Sequence, residues 1–511
     1  MLRKIRLFLA TIFFIGITLL FLDFTGTFHH WLGWMAKVQF LPAVLALNVV
    51  VIVALVILTL VFGRIYCSVI CPLGVMQDIL ARLRRKKNKY SYSKPVSWLR
   101  YTMLGVMLLA IFLGVASIVQ LLAPYSSFGR IAQSLLQPVW MWGNNILAGF
   151  AERADSYTFY SVDVWMKSLP VFIIAIATLL IVGGMAVKNG RTYCNTICPV
   201  GTVLGFLARF SFFKVRFVTD KCRNCSLCSK NCKAACIDYK SHTVDYTRCV
   251  VCGNCISKCK FGALAYAHSV SEGKTTEDDA KSEPSKMEVK SPEAKKSETP
   301  DKGRRTFLMT TALLTTAVIA QEKKKVDGGL AAIEEKKIPV RNTPITPPGS
   351  LSAANMAKRC TGCQLCVSDC PNGVLRPSAD MMTIMQPVMS YERGYCRPEC
   401  TRCSEVCPTG AIQPITKEEK ADTRIGHAVV ITKNCLMVKE KDRELNCGNC
   451  ARHCPTGAVE LVQLDENDEN SPFVPSVDEN RCIGCGACEN LCPARPFPAI
   501  YVEGHDVHNP A

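Results

Sequence analysis

The feature that most constrains this chain is the spacing of its cysteines. It has 29 cysteines in 511 residues, and they fall in clusters. Two motifs of the form Cys-x2-Cys-x2-Cys-x3-Cys lie close together near the middle of the chain: Cys222, Cys225, Cys228 and Cys232, then Cys249, Cys252, Cys255 and Cys259. In the bacterial ferredoxin run of this form, each motif gives three thiolates to one 4Fe–4S cluster and its fourth thiolate to the other cluster. Zinc sites use pairs of cysteines rather than tight triplets. The spacing therefore predicts two iron–sulfur clusters.

Two details depart from that run. Lys233 and Lys260 stand where proline usually follows the fourth cysteine. In addition, Cys236 follows Cys232 by four residues. The sequence leaves open which of Cys232 and Cys236 is the fourth ligand.

Four more motifs of this kind follow in the last third of the chain. Their cysteines are Cys360, Cys363, Cys366 and Cys370; Cys396, Cys400, Cys403 and Cys407; Cys435, Cys447, Cys450 and Cys454; and Cys482, Cys485, Cys488 and Cys492. They predict four further 4Fe–4S clusters, and Cys435 is the least secure ligand because a long insertion follows it. The spacing of Cys396, Cys400 and Cys403 also matches a radical S-adenosylmethionine signature. A barrel around such a site needs roughly two hundred residues, and the next motif begins far too soon for one.

Long apolar runs fill much of the first two hundred residues. They are Leu7–Leu22, Leu41–Phe62, Tyr101–Ala123 and Leu169–Val187. A helix needs about 20 apolar residues to cross a bilayer, so the runs predict four membrane spans. Basic residues precede the first run and follow the second and fourth, and this excess marks the cytoplasmic side. The formal net charge of +18 therefore comes mainly from the basic segments that set the orientation in the membrane. Anionic lipid headgroups are the natural partner of these segments, and nothing in the sequence indicates nucleic acid.

The spans also repeat as two hairpins of one kind. The segment from Gly63 to Gly74 returns from Gly190 to Gly201 with eight of twelve residues identical, and each copy contains Cys-x-x-x-Cys-Pro. This spacing predicts that both sulfurs of a motif share one face of a helix. The four cysteines are Cys67, Cys71, Cys194 and Cys198. A shared metal or cluster site, a redox dithiol pair and simple helix-end packing all remain open for them.

A charged stretch, Ser271–Lys302, separates the two groups of ferredoxin motifs. It is nearly free of aliphatic residues and predicts a flexible tether. Arg304 and Arg305 follow it, then Phe-Leu and a short uncharged run, which predicts a twin-arginine export signal. Whether the segment is cleaved or retained as a fifth anchor is open. Export by this route fits a domain whose clusters are inserted before it crosses the membrane.

These features together predict a membrane α-helical domain of four spans plus two ferredoxin-like α+β iron–sulfur domains. The expected boundaries are 1–217 for the membrane domain, 218–268 for a cytoplasmic two-cluster domain, 269–302 for the tether, 303–321 for the export segment, 322–355 for an extended linker and 356–511 for an exported four-cluster domain. We expect a multi-pass protein of the cell inner membrane, with its second ferredoxin domain in the periplasm.

Residues 1–267, with their spans, paired Cys-x-x-x-Cys-Pro motifs and two-cluster segment, resemble the NapH/MauN family of membrane quinol-dehydrogenase ferredoxins. Residues 303–502, with the twin arginines and four clusters, resemble the NapG/MauM family. The chain differs from both in joining the two partners. The resemblance implies electron transfer from the quinone pool, through six or seven 4Fe–4S clusters, toward a periplasmic reductase of the nitrate-reductase type or a cytochrome partner.

The residues agree with that implication. No nucleophile–base constellation, dinucleotide-binding loop or phosphate-binding motif appears, so no catalytic side chain is assigned. No Cys-x-x-Cys is followed by His, which excludes c-type haem. His29 and His30, at the outer end of the first span, are candidates for a quinol site, although such residues more often belong to an interfacial aromatic belt. A redox-sensing or maturation partner of a reductase is the alternative function.

Overall fold

The described residues between 2 and 213 are mainly helical, and we call this part the helical domain (residues 2–213). In the computed structural model the described residues are 2–83, 90–156, 158–268, 335–439, 447–465, 467–468 and 471–510. The helices of this domain are α1 (Leu2–Leu22), α2 (Thr27–Leu32), α3 (Trp34–Lys37), α4 (Phe40–Leu45), α5 (Val49–Phe62), α6 (Tyr66–Val69), α7 (Pro72–Leu80), α8 (Ser97–Leu113), α9 (Ala116–Leu122), α10 (Pro124–Ile131), α11 (Gln137–Arg153), α12 (Leu169–Asn189), α13 (Thr192–Thr196) and α14 (Pro199–Leu207). A π-helical turn, Ala132–Leu136, joins α10 to α11.

Two of the described helices, α1 and α12, are long and apolar enough to cross a membrane by length and composition. They coincide with the first and fourth predicted spans. The prediction of a continuous helix is wrong for the other two runs. Leu47 adopts a positive φ of 54°, and the side chain of Asn48 then accepts the backbone N–H of Val51 to start α5. Gly114, with φ 73°, ends α8 in the left-handed region that favours glycine.

The repeated motif is also divided between two helices. Cys67 lies within α6 and Cys194 within α13, whereas Cys71 and Cys198 occupy the residue just before α7 and α14. The prediction that both sulfurs of a motif share one helix face is therefore wrong. Each motif continues into a proline at the first position of the next helix, where proline is favoured because it has no N–H to leave unpaired.

Residues 214–268 form the two-motif region. It contains helices α15 (Leu227–Lys230) and α16 (Asn254–Lys258) and strands β1 (Lys214–Phe217), β2 (Ile237–Asp238), β3 (Thr243–Val244) and β4 (Leu264–Ala267). The first strand pairs antiparallel with the last, Lys214 opposite Ala267, and β2 pairs with β3. Pairing of its two ends closes the region around the cysteine loops.

Residues 337–510 form the four-motif region. Its helices are α17 (Ala353–Arg359), α18 (Leu365–Asp369), α19 (Arg402–Val406), α20 (Lys417–Ala421), α21 (Leu436–Lys439), α22 (Asn449–Arg452) and α23 (Ala487–Leu491). Its strands are β5 (Leu375–Pro377), β6 (Pro387–Met389), β7 (Thr423–Val430), β8 (Val459–Gln463), β9 (Phe473–Val477) and β10 (Ile500–Pro510), paired antiparallel as β5–β6, β7–β10 and β8–β9.

This region begins earlier in the chain than the predicted boundary at residue 356. Ile345 and Ser350 are fully buried within it, and Arg341 pairs with Glu489. The last part of the predicted 322–355 linker is thus packed structure. The predicted tether and the export segment with Arg304 and Arg305 lie outside the described residues.

The helical domain, the two-motif region and the four-motif region belong to one compact unit. Arg3, near the start of α1, lies beside Gly253 of the two-motif region. Beyond the other end of α1, Arg402 of the four-motif region lies against Gly26. The 21 residues of α1 give it a length of about 30 Å. The two ferredoxin regions therefore lie against opposite ends of this helix.

Candidate iron–sulfur sites

Four cavities in the ferredoxin regions are each lined by four cysteines, three from one motif and the fourth from its partner motif. Their volumes run from 290 to 390 Å³. We name these sets quartet A (Cys222, Cys225, Cys228 and Cys259), quartet D (Cys396, Cys400, Cys403 and Cys370), quartet E (Cys435, Cys447, Cys450 and Cys492) and quartet F (Cys482, Cys485, Cys488 and Cys454). Quartet E contains Cys435 despite the insertion that follows it. The cysteines are arranged as crossed ligation requires.

The remaining ferredoxin cysteines complete two more sets of the same kind. Quartet B contains Cys249, Cys252, Cys255 and Cys232, and quartet C contains Cys360, Cys363, Cys366 and Cys407; in each, the thiols lie close enough to interact electrostatically. All six predicted combinations of three cysteines with a fourth from the paired motif are thus brought together by the fold.

A local backbone feature shapes these cysteine loops. In five of the six motifs the residue after the second cysteine has a positive φ: Ser226, Gly253, Gln364, Gly448 and Gly486. This left-handed residue reverses the chain so that a short helix begins at once and carries the third cysteine. Thr401, in the motif with one extra residue, has an ordinary φ of −108°. This motif has one extra residue between its first two cysteines, and the chain there turns without a left-handed residue after the second cysteine.

The chemistry of the quartets fits iron–sulfur clusters. Backbone N–H groups donate to the sulfurs of Cys259, Cys454 and Cys492 at 3.3 Å, and hydrogen bonds of this kind help to set the reduction potential of a bound cluster. Burial raises the pKa of Cys485 to about 12, so positive charge such as iron supplies is needed to hold it as a thiolate.

Cys232 and Cys236 have different places in quartet B. Their sulfurs are 3.5 Å apart, and both are buried. Cys252 and Cys255 both interact with Cys232, while Cys236 hydrogen-bonds to Cys232 and Cys249. The hydrogen bond from Cys236 lowers the pKa of Cys232 to about 7. The arrangement favours Cys232 as the fourth ligand, with Cys236 donating to it.

A buried charge network explains Lys233, which the sequence pattern left as an irregularity. Its ammonium nitrogen lies 2.5 Å from Asp78 on α7, which also accepts from Arg191 at 2.7 Å and from Arg6 at 3.2 Å. Asp78 is 7% exposed. Three cations around one carboxylate therefore join α1, α7 and the start of α13 to the two-motif region. The sequence signal was the single acidic residue among the basic residues of that loop.

The cysteines of the two Cys-x-x-x-Cys-Pro motifs also come together, and all four are buried. They belong to the same cluster of buried residues as Cys252 of quartet B and Cys363 of quartet C. This cluster runs from the two-motif region through the helical domain to the four-motif region.

The two candidate histidines have different surroundings. The side chain of His29 is 8% exposed, its Nε2 lies 3.8 Å from Asp369, and neither ring nitrogen has a hydrogen-bond partner among the described residues. His30 is exposed and packs edge-on against Trp31. A role of either histidine in quinol binding stays a prediction.

Sequence reasoning missed the contacts between the helical domain and the four-motif region. Gln120 donates to the carbonyl oxygen of Cys360 at 3.3 Å, Gln137 to that of Ser368 at 3.1 Å, and Lys167 to that of Val367 at 2.7 Å. Trp165 lies between the guanidinium groups of Arg376 and Arg393, 4.5 and 4.7 Å from its ring centre. These polar side chains gave no periodic signal, because their partners are backbone carbonyls far away in sequence.

Comparison with known proteins agrees with this chemistry. A 4Fe–4S binding domain matches residues 44–90 and 169–217, a second 4Fe–4S binding domain matches residues 242–265, and a 4Fe–4S dicluster domain matches residues 443–495. The first match covers the two segments that contain the paired Cys-x-x-x-Cys-Pro motifs.

Several curated proteins are similar to parts of the chain. The ferredoxin-type protein NapH of Escherichia coli is 27% identical over 43% of this chain and 67% of its own length. The methylamine utilization ferredoxin-type protein MauM of Methylobacillus flagellatus is 34% identical over 30% of this chain and 65% of its own length. The putative electron transport protein YccM of Escherichia coli is 25% identical, and the chain spans about half of its length, 55%. No solved structure matches the chain significantly.

Fold, cysteine quartets and homologues together define the class: the chain is an iron–sulfur electron-transfer protein with ferredoxin domains. Its homologues are ferredoxin-type proteins of the NapH, MauN and MauM kinds, at modest identity. This is consistent with the resemblance inferred from the sequence, a NapH/MauN-like protein fused to a second ferredoxin partner.

Proposed function

We propose that this protein carries electrons from membrane quinol to a periplasmic redox partner, a reductase of the nitrate-reductase type or a cytochrome that serves one. The observation that carries the proposal is the position of the two ferredoxin regions against opposite ends of α1. One region lies on each side of a membrane that α1 spans. The basic residues favour a cytoplasmic position for the two-motif region, and in this proposal the four-motif region faces the periplasm.

The arrangement of α1 and α12 supports the membrane part of this proposal. Each has 21 residues, mostly apolar, and many of their large side chains face outward, among them Phe8, Ile173 and Leu180. Exposed apolar surface of this kind is costly in water and favourable in lipid. In the proposal the interrupted pairs α4–α5 and α8–α9 complete the four spans. Irregular backbone at membrane depth is tolerated where protein covers it.

The six quartets supply the redox stations. A 4Fe–4S cluster bound at each accepts and releases one electron at a time. Oxidation of quinol to quinone releases two electrons and two protons, so the electrons leave in single steps while the protons go to protein groups or water. The chain itself holds the sulfurs in place, donates hydrogen bonds to them and keeps water from the buried quartets.

The test is reduction by quinol in membrane vesicles, with cluster signals followed by electron paramagnetic resonance while electron exit is blocked. We expect quinol to reduce the clusters of the four-motif region. Cys485→Ser should remove one of these signals and perturb its neighbour, because Cys454 then completes a damaged quartet. Clusters that stay oxidised with quinol present would overturn the proposal.

A double variant tests the proposed membrane topology separately. Arg304→Lys with Arg305→Lys keeps the charge but removes the planar guanidinium groups that the export machinery reads. We expect this double variant to keep its iron while its four-motif region becomes protected from protease added to spheroplasts. A four-motif region that is protected in the unaltered protein would contradict the proposed sidedness.

A further inference from the structure

The four cysteines of the two Cys-x-x-x-Cys-Pro motifs form a single buried site. Each is only 4% exposed, although they come from two segments more than a hundred residues apart. Cys198 interacts electrostatically with Cys194, Cys71 and Cys67, so the four thiols face a common space. Each motif alone supplies two sulfurs, which is half of what a cluster requires.

The two repeats hold each other in this position by crossed hydrogen bonds. Arg64, in the first repeat, donates to the carbonyl oxygen of Cys194 at 3.2 Å, and Arg191, in the second, donates to the carbonyl oxygen of Cys67. Gly74 lies against the carbonyl oxygen of Cys67, and Gly201 lies against that of Cys194. A Cβ at either glycine would overlap the oxygen. The matched contacts relate the two halves by an approximate twofold arrangement.

The charge around the site calls for an anion. Arg64 is fully buried and has no carboxylate within ion-pair distance among the described residues. Its Nη2 lies 3.8 Å from the sulfur of Cys67, and its Nε has no hydrogen-bond partner among those residues. A buried cation is costly unless a negative group lies nearby. Four thiolates around an iron–sulfur core carry net negative charge and would meet that need.

We propose that Cys67, Cys71, Cys194 and Cys198 together bind one iron–sulfur cluster, a seventh redox centre that relays electrons between the two ferredoxin regions. The matched 4Fe–4S binding domain covers each repeat separately, with two cysteines in each. The geometry assigns one cluster shared by both.

Contacts on one side lead from this site to quartet B. Arg64 also donates to the carbonyl oxygen of Thr247 at 2.7 Å and interacts with the thiol of Cys249. Lys233, next to Cys232 in sequence, interacts with Cys252 and joins Arg191 through Asp78. Protein groups in direct contact therefore connect the four-thiol site to the two-motif region.

Contacts on the other side lead to quartet C. Tyr193 precedes Cys194 in sequence, and the buried Arg130 interacts with both Tyr193 and Cys363. Gly129 lies so close to the carbonyl oxygen of Cys363 that a Cβ would not fit between them. The four-thiol site therefore lies between quartets B and C.

The relay rests on the proposed function, since it explains how electrons cross the helical domain. The step is simple: an electron leaves a reduced cluster at quartet B or C, the four-thiol centre is reduced, and it is reoxidised as the electron passes to the other side. No bond is made or broken.

Metal content tests the site without relying on activity. Full-length protein purified without oxygen should contain about 28 iron atoms and as much acid-labile sulfide, against about 24 for six clusters alone. Cys71→Ser with Cys198→Ser should lose about four iron atoms and one paramagnetic signal. Ser68→Ala with Thr202→Ala is the matched control, since it alters one buried side chain at each repeat without removing a thiol, and its iron content should not change.

Three results would overturn the inference. The first is an iron content of about 24 atoms in unaltered protein, together with reaction of all four thiols of this site with an alkylating agent after unfolding. The second is one zinc per chain that disappears in the double cysteine variant. The third is a disulfide at this site in the reduced protein. The first and third results need only unaltered protein, so they remain decisive even if the double cysteine variant fails to fold.

The relay itself is tested with a membrane-impermeant low-potential reductant in place of quinol. Added to the face of sealed vesicles that carries the two-motif region, it should reduce the clusters of the four-motif region in unaltered protein and in the Ser68→Ala, Thr202→Ala control. It should fail to do so in the double cysteine variant. Equal reduction in the double cysteine variant would overturn the relay. Because no quinol is present, a failure of quinol to donate would contradict the proposed function and leave this result unaffected.

Discussion

The helical domain contacts its two ferredoxin regions through interfaces of different kinds. Against the two-motif region it presents buried charge. Asp78, paired with Arg191, binds Lys233 of that region, and Arg64 donates to the backbone carbonyl of Thr247. Against the four-motif region it presents donors to backbone carbonyls, among them Gln120, Gln137 and Lys167, and close backbone packing. Both interfaces hold a cysteine quartet next to the helical domain, but the first gathers three cations around one buried carboxylate.

The difference follows from how each region is attached. The two-motif region begins at Lys214, directly after the helical domain, so its position is limited by the chain, and paired charges then fix its register. The four-motif region must dock after a long intervening segment. Its contacts with the helical domain are hydrogen bonds to backbone carbonyls and close backbone packing at Gly129. The first interface should therefore be sensitive to one lost charge, and the second to one added methyl group.

Asp78→Asn should have the largest effect. It leaves the buried cations Arg6, Arg191 and Lys233 without their carboxylate, and removal of one partner from a buried ion pair costs about 3–5 kcal/mol. We expect a lower thermal midpoint and loss of iron from quartet B. Asp220→Asn, at an exposed position of the two-motif region, is the control and should change neither. An Asp78→Asn protein as stable as the unaltered one would show that this interface does not depend on charge.

Gly129→Ala should weaken the second interface selectively. The new Cβ would overlap the carbonyl oxygen of Cys363, and overpacking of this kind costs about 1–3 kcal/mol. With a protease site inserted into the Ser271–Lys302 segment, the cleaved halves should co-purify in the unaltered protein and separate in the variant. Gly143→Ala is the matched control, because no atom lies near its Cβ position. Separation in both variants would mean that Gly129 has no special place in docking.

Trp165→Leu should have the smallest effect. It removes the ring between Arg376 and Arg393, and exposed cation–π contacts contribute about 0.5–1 kcal/mol each. The cleaved halves should dissociate several-fold faster, with iron content unchanged. Trp140→Leu, a half-exposed tryptophan on α11, should leave the dissociation rate alone. Equal dissociation rates in the two variants would show that Trp165 does not stabilise the interface.

Much of the candidate site could be predicted because most ligands of a ferredoxin cluster are separated by only two or three residues in the sequence. Three cysteines within seven residues, such as Cys482, Cys485 and Cys488, are held near one point by the chain itself. The fourth ligand comes from the next motif, and the crossed pairing seen for Cys454 follows from that rule. The helix interruptions at Asn48 and Gly114 were missed because hydropathy averages over many residues, whereas a cap depends on one.

The sequence by itself determined the ferredoxin quartets, the apolar runs and the repeat, since each depends on residues near one another in the chain. Only the tertiary structure decided that the two Cys-x-x-x-Cys-Pro motifs meet and that Lys233 reaches Asp78. It also decided that Cys363 lies against Gly129. Those contacts join residues far apart in sequence, and they depend on how whole helices pack. Burial then fixes them, because a charge or a backbone carbonyl withdrawn from water must find its partner inside the protein.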